Sequence, residues 1–413
     1  MKLYAHQQSI LDKNPSKTLL AWGTGTGKSL AGIELLKKNG AKEAMIICPK
    51  SIKSKWIADT PGGYMVLTKE EFKKQAPLLK RYNHILVDEA HYFSGNTSAM
   101  SKFLIKYIEW HKVEYVYLLT ATPYLSSIWG IYTLARILGY NPSYQSFKKK
   151  YFDMIPMGRR RIPVQKKKVV NDNGVIIPME DEVARLVNKI GDTVKIEDCI
   201  DVPRQTFLVE EFELTSEQKT AIKNLDDIVP ISRWTKFHQI CGGSLKGDGY
   251  SPNQMFKSEK LARILDLAKE HKKLVIVARY NHERDIIINA LKKYNIYHIS
   301  ANEKDVAGLA QEADKQEKAI VVVSGGISEG YELPSFPIMV FYSYDFSLKN
   351  YIQMLGRILR INKLKKNVYI SLIVKDSVDE DVYSCIMNKR NFDIAIYDKD
   401  KAILKAIDII NKS

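Results

Sequence analysis

The sequence predicts an α/β fold in which a parallel sheet with helices on its faces occurs twice along the chain. Three observations predict it. Short apolar runs alternate with helix-period runs over residues 1–140 and again over 257–390. A glycine-rich turn, "GTGTGKS" at 23–29, links the first apolar run to a helix-like run. An acidic pair, Asp88-Glu89, closes the later apolar run "HILV".

Taken in order, the first half shows strand-like runs at 18–22, 44–48, 64–67, 84–88 and 115–120, separated by helical spacing. "KTLLAW" reads as a buried strand and "SLAGIELLKK" as the helix after the turn. Strand, glycine turn and helix is the setting of a phosphate-binding loop. Gly23, Thr24, Gly25, Thr26 and Gly27 would let backbone N–H groups converge on phosphate oxygens. Lys28 would reach the β and γ phosphates, and Ser29 would ligate Mg²⁺. Trp22 stands where the strict G-x-x-x-x-G-K-[ST] pattern has its first glycine. An acidic pair at the C-terminal end of a parallel strand lies where α/β proteins bind ligands. Asp88 is expected to hold Mg²⁺ through water, and Glu89 to orient and deprotonate the attacking water.

Between the halves, 141–256 is expected to be a basic interlobe insertion with linker helices. "SFKKKYFDMIPMGRRRIPVQKKKVVNDNG" (146–174) holds three basic triplets, with Tyr151 and Phe152 interleaved. Arg159, Arg160 and Arg161 can neutralise successive phosphates; the competing reading is a solvated loop. "NDNG" marks a turn pairing "KKKVV" with "GVII" as a hairpin. A second lobe is expected over 257–390 and a docking helix over 391–413, from the apolar stripe of "KAILKAIDIINK".

Bulk composition bounds the class. The 413 residues suit two or three domains, and 45% hydrophobic with 27% charged residues is a folded composition. No apolar run is long enough to span a bilayer, and the N-terminal stretch is too short for a signal peptide. Cys48, Cys199, Cys241 and Cys385 lie far apart without C-x-x-C spacing, which argues against a zinc or disulfide framework. A cytoplasmic location is expected. With 63 Lys+Arg against 47 Asp+Glu the net charge is +16, which favours polyanionic partners.

The letters Asp88-Glu89-Ala90-His91 resemble the DEAH form of the Walker B motif in superfamily 2 helicases and translocases, and further motifs follow in that family's order. "LYAHQ" (3–7) resembles the glutamine motif, which implies Gln7 on the adenine edge. "MIICPKSIKSKW" (45–56) resembles motif Ia, which implies nucleic-acid contacts by Pro49, Lys50 and Ser51, with Thr68 on the same track. "LLTATP" (118–123) resembles motif III and "KLVIVARY" (273–280) motif IV. "VVVSGGISEGYELP" (321–334) resembles motif V, with Ser324 at a phosphate contact, Gly330 at a turn, and Glu332 where the ribose contact is usually aspartate. "QMLGRILRI" (353–361) resembles motif VI, which implies catalytic roles for Gln353, Arg357 and Arg360.

"CPKSIKSKW", "HQICGGSL" (238–245), "DVPRQTFLVEEFELTSEQK" (201–219) and the segment 367–390 resemble the Swi/Snf-like branch in a minimal form, which implies the cytoplasm of a bacterial or phage-infected cell. The resemblance implies two RecA-like parallel-sheet lobes in tandem with an ATP cleft between them. It also implies ATP and Mg²⁺ as cofactors, and DNA as partner, duplex favoured and single strands possible, bound by a monomer. The expected activity is ATP-driven translocation along duplex DNA. The alternatives are a strand-separating or annealing helicase, or a DNA-gated ATP switch.

Overall fold

The computed structural model describes residues 3–75, 80–95, 98–123, 128–157, 160–195, 205–225, 230–247, 253–300, 302–303, 305–324, 326–327, 330–359 and 366–388. The chain divides into two compact units, 1–202 and 203–413.

In the first unit the apolar runs form β1 (Lys17–Trp22), β2 (Met45–Cys48), β3 (Met65–Thr68), β4 (His84–Val87) and β5 (Tyr115–Leu119). Each lies within about a residue of its sequence position. Two hairpins follow: β6 (Phe152–Met157) with β7 (Arg160–Gln165), and β8 (Lys168–Val170) with β9 (Ile176–Pro178). The last strand is β10 (Gly191–Val194). The sheet order is β10-β1-β5-β4-β2-β3, and every pairing is parallel.

Parallel sheets carry helices on both faces, so their strands are apolar throughout. Here Leu19, Ala21, Met45, Ile47, Ile85, Val87, Val116 and Leu118 enter one core, while Leu20, Trp22, Ile46, Cys48, Leu86, Tyr117 and Leu119 enter the other. The period of two along each strand thus distributes side chains between two buried faces rather than between core and water.

The second unit repeats the plan with β11 (Thr206–Phe212), a short antiparallel pair β12 (Ser244–Leu245) and β13 (Gln254–Met255), β14 (Lys273–Ala278), β15 (Ile296–Ile299), β16 (Ala319–Ser324), β17 (Ile338–Phe341) and β18 (Val368–Val374). Its six-stranded order is β11-β18-β17-β14-β16-β15, again wholly parallel. The fold is two RecA-like parallel-sheet lobes in tandem.

The stretch 141–256, expected as one segment between lobes, is shared between them. β10 joins the first sheet beside β1, and β11 joins the second beside β18. Gly191 makes the first junction possible, because a Cβ there would overlap the Leu19 carbonyl. The β8–β9 hairpin forms as the "NDNG" turn predicts. Asn171 Oδ1 accepts from the N–H groups of Asn173 and Val175, each at 2.9 Å, and Gly174 takes φ +78°. Tyr151 and Phe152, which interleave the basic triplets, are buried core residues rather than exposed stacking groups. The C-terminal helix expected at 391–413 lies outside the described residues. No helix among those described is long and apolar enough to cross a membrane.

Candidate nucleotide and nucleic-acid site

The glycine loop hangs from the C-terminal end of β1. Gly23 N–H donates to Val194 O of β10 at 2.8 Å, so an edge strand that the sequence pattern does not reveal anchors the start of the loop. Gly25 and Gly27 take φ +78° and +80°, left-handed values that glycine adopts without steric cost. A Cβ on Gly27 would overlap the Gln7 amide. Gln7 is fully buried. Its Oε1 accepts from Tyr4 N–H at 2.9 Å and its Nε2 donates to Gly27 O at 3.1 Å. His6 Nε2 lies 2.8 Å from Thr26 O, so the first helix, Ala5–Lys13, braces the loop from behind at two points. Thr26 is buried and donates to Gly23 O at 2.8 Å, while Thr24 and Ser29 are half-buried.

Lys28 opens the helix Lys28–Lys38, and its Nζ donates to Trp22 O at 2.9 Å and Gly23 O at 3.0 Å. The ammonium therefore sits curled against its own loop. Trp22 does not disrupt the cradle: it is buried, and its indole N–H donates to Asp192 Oδ2 at 2.9 Å on β10.

Asp88 and Glu89 follow β4, which is separated from β1 only by β5. Asp88 N–H donates to Ile47 O at 2.8 Å. Its carboxylate is held from two sides, Oδ1 by Glu89 N–H at 2.9 Å and Oδ2 by the Trp56 indole N–H at 2.9 Å. Burial, then the neighbouring Glu89 charge, pushes the Asp88 carboxyl up to about 6, against the opposing pull of the Trp56 bond and the Lys28 charge. Glu89 takes φ +50°, ψ +50°, a conformation that costs a non-glycine residue about 1–3 kcal/mol and is concentrated at functional sites. His91 is buried, with Nδ1 at 3.1 Å from both Glu89 Oε2 and Thr120 Oγ1. Thr120 Oγ1 also accepts from Thr122 N–H at 3.1 Å. A continuous polar path thus joins the acidic pair to the "TAT" turn.

An ammonium, a hydroxyl, a buried carboxylate and a second carboxylate stand at one end of one parallel sheet, above a loop only glycine can form. This donor set fits a Mg²⁺-bound nucleoside triphosphate. Sequence reasoning missed the Trp56 and His91 contacts. Trp56 is visible in the chain only as a motif letter, and no local pattern names its acceptor.

The expected nucleic-acid contacts are scattered. Pro49 is buried ahead of the single turn Lys50–Ile52, with Lys50 exposed and Ser51 half-buried. Thr68 is buried and caps the helix Lys69–Gln75: Glu71 N–H donates to its Oγ1 at 3.1 Å, and its own N–H donates to Glu71 Oε2 at 2.7 Å. That reciprocal pair is a capping box, written in the sequence as "TKEE". Arg161 is exposed on β7, Arg160 lies on the same strand, and Arg159 falls outside the described residues.

In the second unit, Ser324 ends β16 and is buried. Its Oγ lies 3.3 Å from Arg284 Nη1 and 3.2 Å from His298 Nε2. Gly330 takes φ +88°, and Glu332 is exposed. The helix Leu348–Ile358 buries Gln353. Arg357 is half-buried, donating from Nε to Gln353 O and from Nη1 to Tyr331 O, both at 3.0 Å. The bond to Tyr331 O docks the arginine helix on the segment that carries Gly330 and Glu332, while the bond to Gln353 O lies within the helix. Arg360 lies outside the described residues.

Residues 257–362 match the family model described as helicase conserved C-terminal domain. A curated protein of Methanocaldococcus jannaschii named "Putative ATP-dependent RNA helicase" is 26% identical over 250 residues, 54% of this chain. The match covers 32% of that protein, so the chain spans about a third of the relative's length. Among solved structures, the Sulfolobus solfataricus SWI2/SNF2 ATPase core in complex with dsDNA is similar at a TM-score of 0.41 and 17% identity, over 94% of this chain and 91% of that one. A likeness that loose carries no statement about substrate.

Proposed function

We propose that this chain, a superfamily 2 helicase-type protein, is an ATP-dependent DNA translocase of the Swi/Snf-like kind. The observation that carries the reading is the convergence of the glycine loop and the acidic pair at one edge of the first sheet. The helicase C-terminal domain in the second unit contains Arg357 and Arg360.

In this reading Ser29, and Asp88 through water, would hold a Mg²⁺ that would supply charge neutralisation to the phosphates. Lys28 would exchange the Trp22 and Gly23 carbonyls for phosphate oxygens. Glu89 orients the attacking water and accepts its proton on a carboxylate oxygen. Gln7 keeps the loop in shape; its amide is fully buried on Tyr4 N–H and Gly27 O, so the adenine contact that its motif implies would require that amide to turn outward. Arg357 and Arg360 supply always-charged, bidentate donors to the transferred phosphoryl group from the second lobe, with Gln353 behind them and Gly330 and Glu332 beside the ribose. DNA contacts are assigned to the loop of Pro49, Lys50 and Ser51, to Thr68 and Ser324, and to Arg159, Arg160 and Arg161. Alternate grip by the two lobes, switched by the γ-phosphate, would move the protein along its strand. The branch assignment rests on the motif forms at 48–56, 201–219 and 238–245.

A second reading is strand separation on RNA or forked DNA; its RNA form is the one favoured by the name of the Methanocaldococcus relative. ATP hydrolysis measured with no nucleic acid, single-stranded DNA, duplex DNA and RNA, with Glu89→Gln as control, separates the two. Strongest stimulation by duplex DNA supports the translocase. Preference for RNA or single strands supports the helicase. No stimulation by any of them overturns both and leaves a nucleotide switch.

A further inference from the structure

We propose that Trp56 is a positioning residue: its indole N–H sets the Asp88 carboxylate for Mg²⁺ and ties that carboxylate to the nucleic-acid-facing turn at 50–52. The inference rests on the nucleotide-site reading above and adds to it a coupling element.

Trp56 is 3% exposed and lies in the helix Lys53–Asp59, which runs on directly from the turn Lys50–Ile52. Its Nε1 donates to Asp88 Oδ2 at 2.9 Å, within a buried environment. Indole N–H is a donor only, so this bond cannot invert as an amide or imidazole contact could. A hydrogen bond to an ionised acceptor is roughly twice as strong as a neutral one. With Oδ1 taken by Glu89 N–H at 2.9 Å, each carboxylate oxygen has one fixed donor and keeps a lone pair for the metal or its water. The plane of the carboxylate is then set from two sides, one of them by a residue far away in sequence.

The helix that carries Trp56 is itself tied down. Lys53 Nζ pairs with Glu71 Oε2 at 2.7 Å, and Glu71 is the residue whose carboxylate caps the next helix at Thr68. At the other end, Thr60 Oγ1 donates to Trp56 O at 2.6 Å. Lys50 and Ser51 therefore sit at one end of a short, anchored lever, and the Asp88 carboxylate at the other. A buried tryptophan needs some acceptor for its N–H, and a backbone carbonyl would satisfy that need. The acceptor chosen is the carboxylate at the end of β4, which is what a positioning role requires. A phosphate bound at Lys50 and Ser51 would act on the same anchored helix that carries the indole, and through the indole on the Asp88 carboxylate.

The test is Trp56→Phe, which keeps an aromatic ring and removes the N–H, alongside Trp56→His, which keeps a ring donor. Both are checked for native unfolding temperature. Binding of a fluorescent ATP analogue is titrated with Mg²⁺ and, separately, measured in EDTA. Outer-shell partners of a metal ligand typically contribute 10–100-fold in metal affinity. Trp56→Phe should therefore raise the apparent Kd for Mg²⁺ by about 10–100-fold while leaving binding in EDTA unchanged. Trp56→His should recover part of that loss. DNA affinity should stay at the wild-type value while the ratio of DNA-stimulated to basal hydrolysis falls. A wild-type Mg²⁺ dependence in folded Trp56→Phe, or a loss in Trp56→His as large as in Trp56→Phe, overturns the positioning role. Altered Mg²⁺ affinity with an unchanged stimulation ratio overturns the coupling. Wild-type protein that binds no nucleotide overturns the nucleotide-site reading itself, and with it this inference.

Discussion

Gln7 and Gly27 are locked together. The glutamine amide donates to the glycine carbonyl at 3.1 Å, and the space a Gly27 side chain would need is filled by that same amide. Gln7→Ala leaves the Tyr4 N–H without its acceptor and removes one of the two donors to Gly27 O, which still accepts from Ala31 N–H at 3.1 Å. A buried unsatisfied group costs about 1–3 kcal/mol. The unfolding temperature should fall by several degrees and nucleotide affinity with it, as seen by scanning calorimetry and nucleotide titration. Gly27→Ala should abolish nucleotide binding, since alanine meets both the φ of +80° and the amide. Unchanged affinity in both variants would show that the loop is not braced from Gln7.

Catalytic steps separate by variant. Lys28→Ala should lose ATP binding, whereas Glu89→Gln should bind ATP and fail to turn it over. Arg360→Ala should bind ATP nearly as wild type, with turnover down by roughly 10³–10⁵, the usual effect of an arginine finger. Equilibrium binding and steady-state hydrolysis read the two halves independently. Wild-type turnover in Arg360→Ala would remove the second lobe from the reaction.

Glu283 sets a pH dependence of stability. It is fully buried, with Oε2 accepting from Ser343 and from Tyr280 N–H and no hydrogen-bond partner at Oε1 among the described residues, and burial pushes its carboxyl up to about 7. Its neutral form belongs to the folded state. The stabilisation is therefore complete below about 4.5, the unfolded value, and is lost as pH rises through about 7. Wild type should lose on the order of 3 kcal/mol across that window, in urea unfolding at pH 4.5 and pH 8. Glu283→Gln should flatten the profile, because its amide cannot ionise.

The second lobe also holds a buried ion cluster. Lys260 Nζ lies 2.7 Å from Asp379 Oδ2, and His238 Nε2 lies 3.3 Å from Oδ1, with all three side chains at most 1% exposed. Burial pushes the Asp379 carboxyl up, but Lys260 and His238 outweigh it and hold the group at about 2. Lys260→Met strands a buried carboxylate, at a cost of about 3–5 kcal/mol, measurable by denaturant midpoint. Lys260→Met combined with Asp379→Leu should recover much of the loss; no recovery would mean that packing, not charge, dominates there.

Replacing Arg159, Arg160 and Arg161 with glutamine should weaken DNA binding at low salt and reduce the salt slope by about 1 for each phosphate no longer neutralised. Fluorescence anisotropy across a salt series reads both. An unchanged slope would return this segment to the role of a solvated hairpin.

The sequence by itself determined the two sheets, the glycine loop and the acidic pair. Each is local: a strand buried on both faces is apolar throughout, glycine marks the left-handed turn, and Asp88-Glu89 follows its strand directly. What the tertiary structure alone decided depends on partners distant in the chain. β10 is a strand because Gly191 lets it approach Leu19, and β11 because it pairs along β18. Tyr151 and Phe152 stand beside basic triplets in the chain and yet are core, since their neighbours in space are apolar. Thr68 caps a helix, a role that its motif position does not reveal and that is legible in hindsight from Glu71 three residues on. The Trp56–Asp88 bond joins two motifs that periodicity treats as unrelated. Backbone pattern is encoded within a few residues, whereas the partner of a buried polar group is chosen only when the chain closes around it, because only then must that group exchange water for a fixed acceptor.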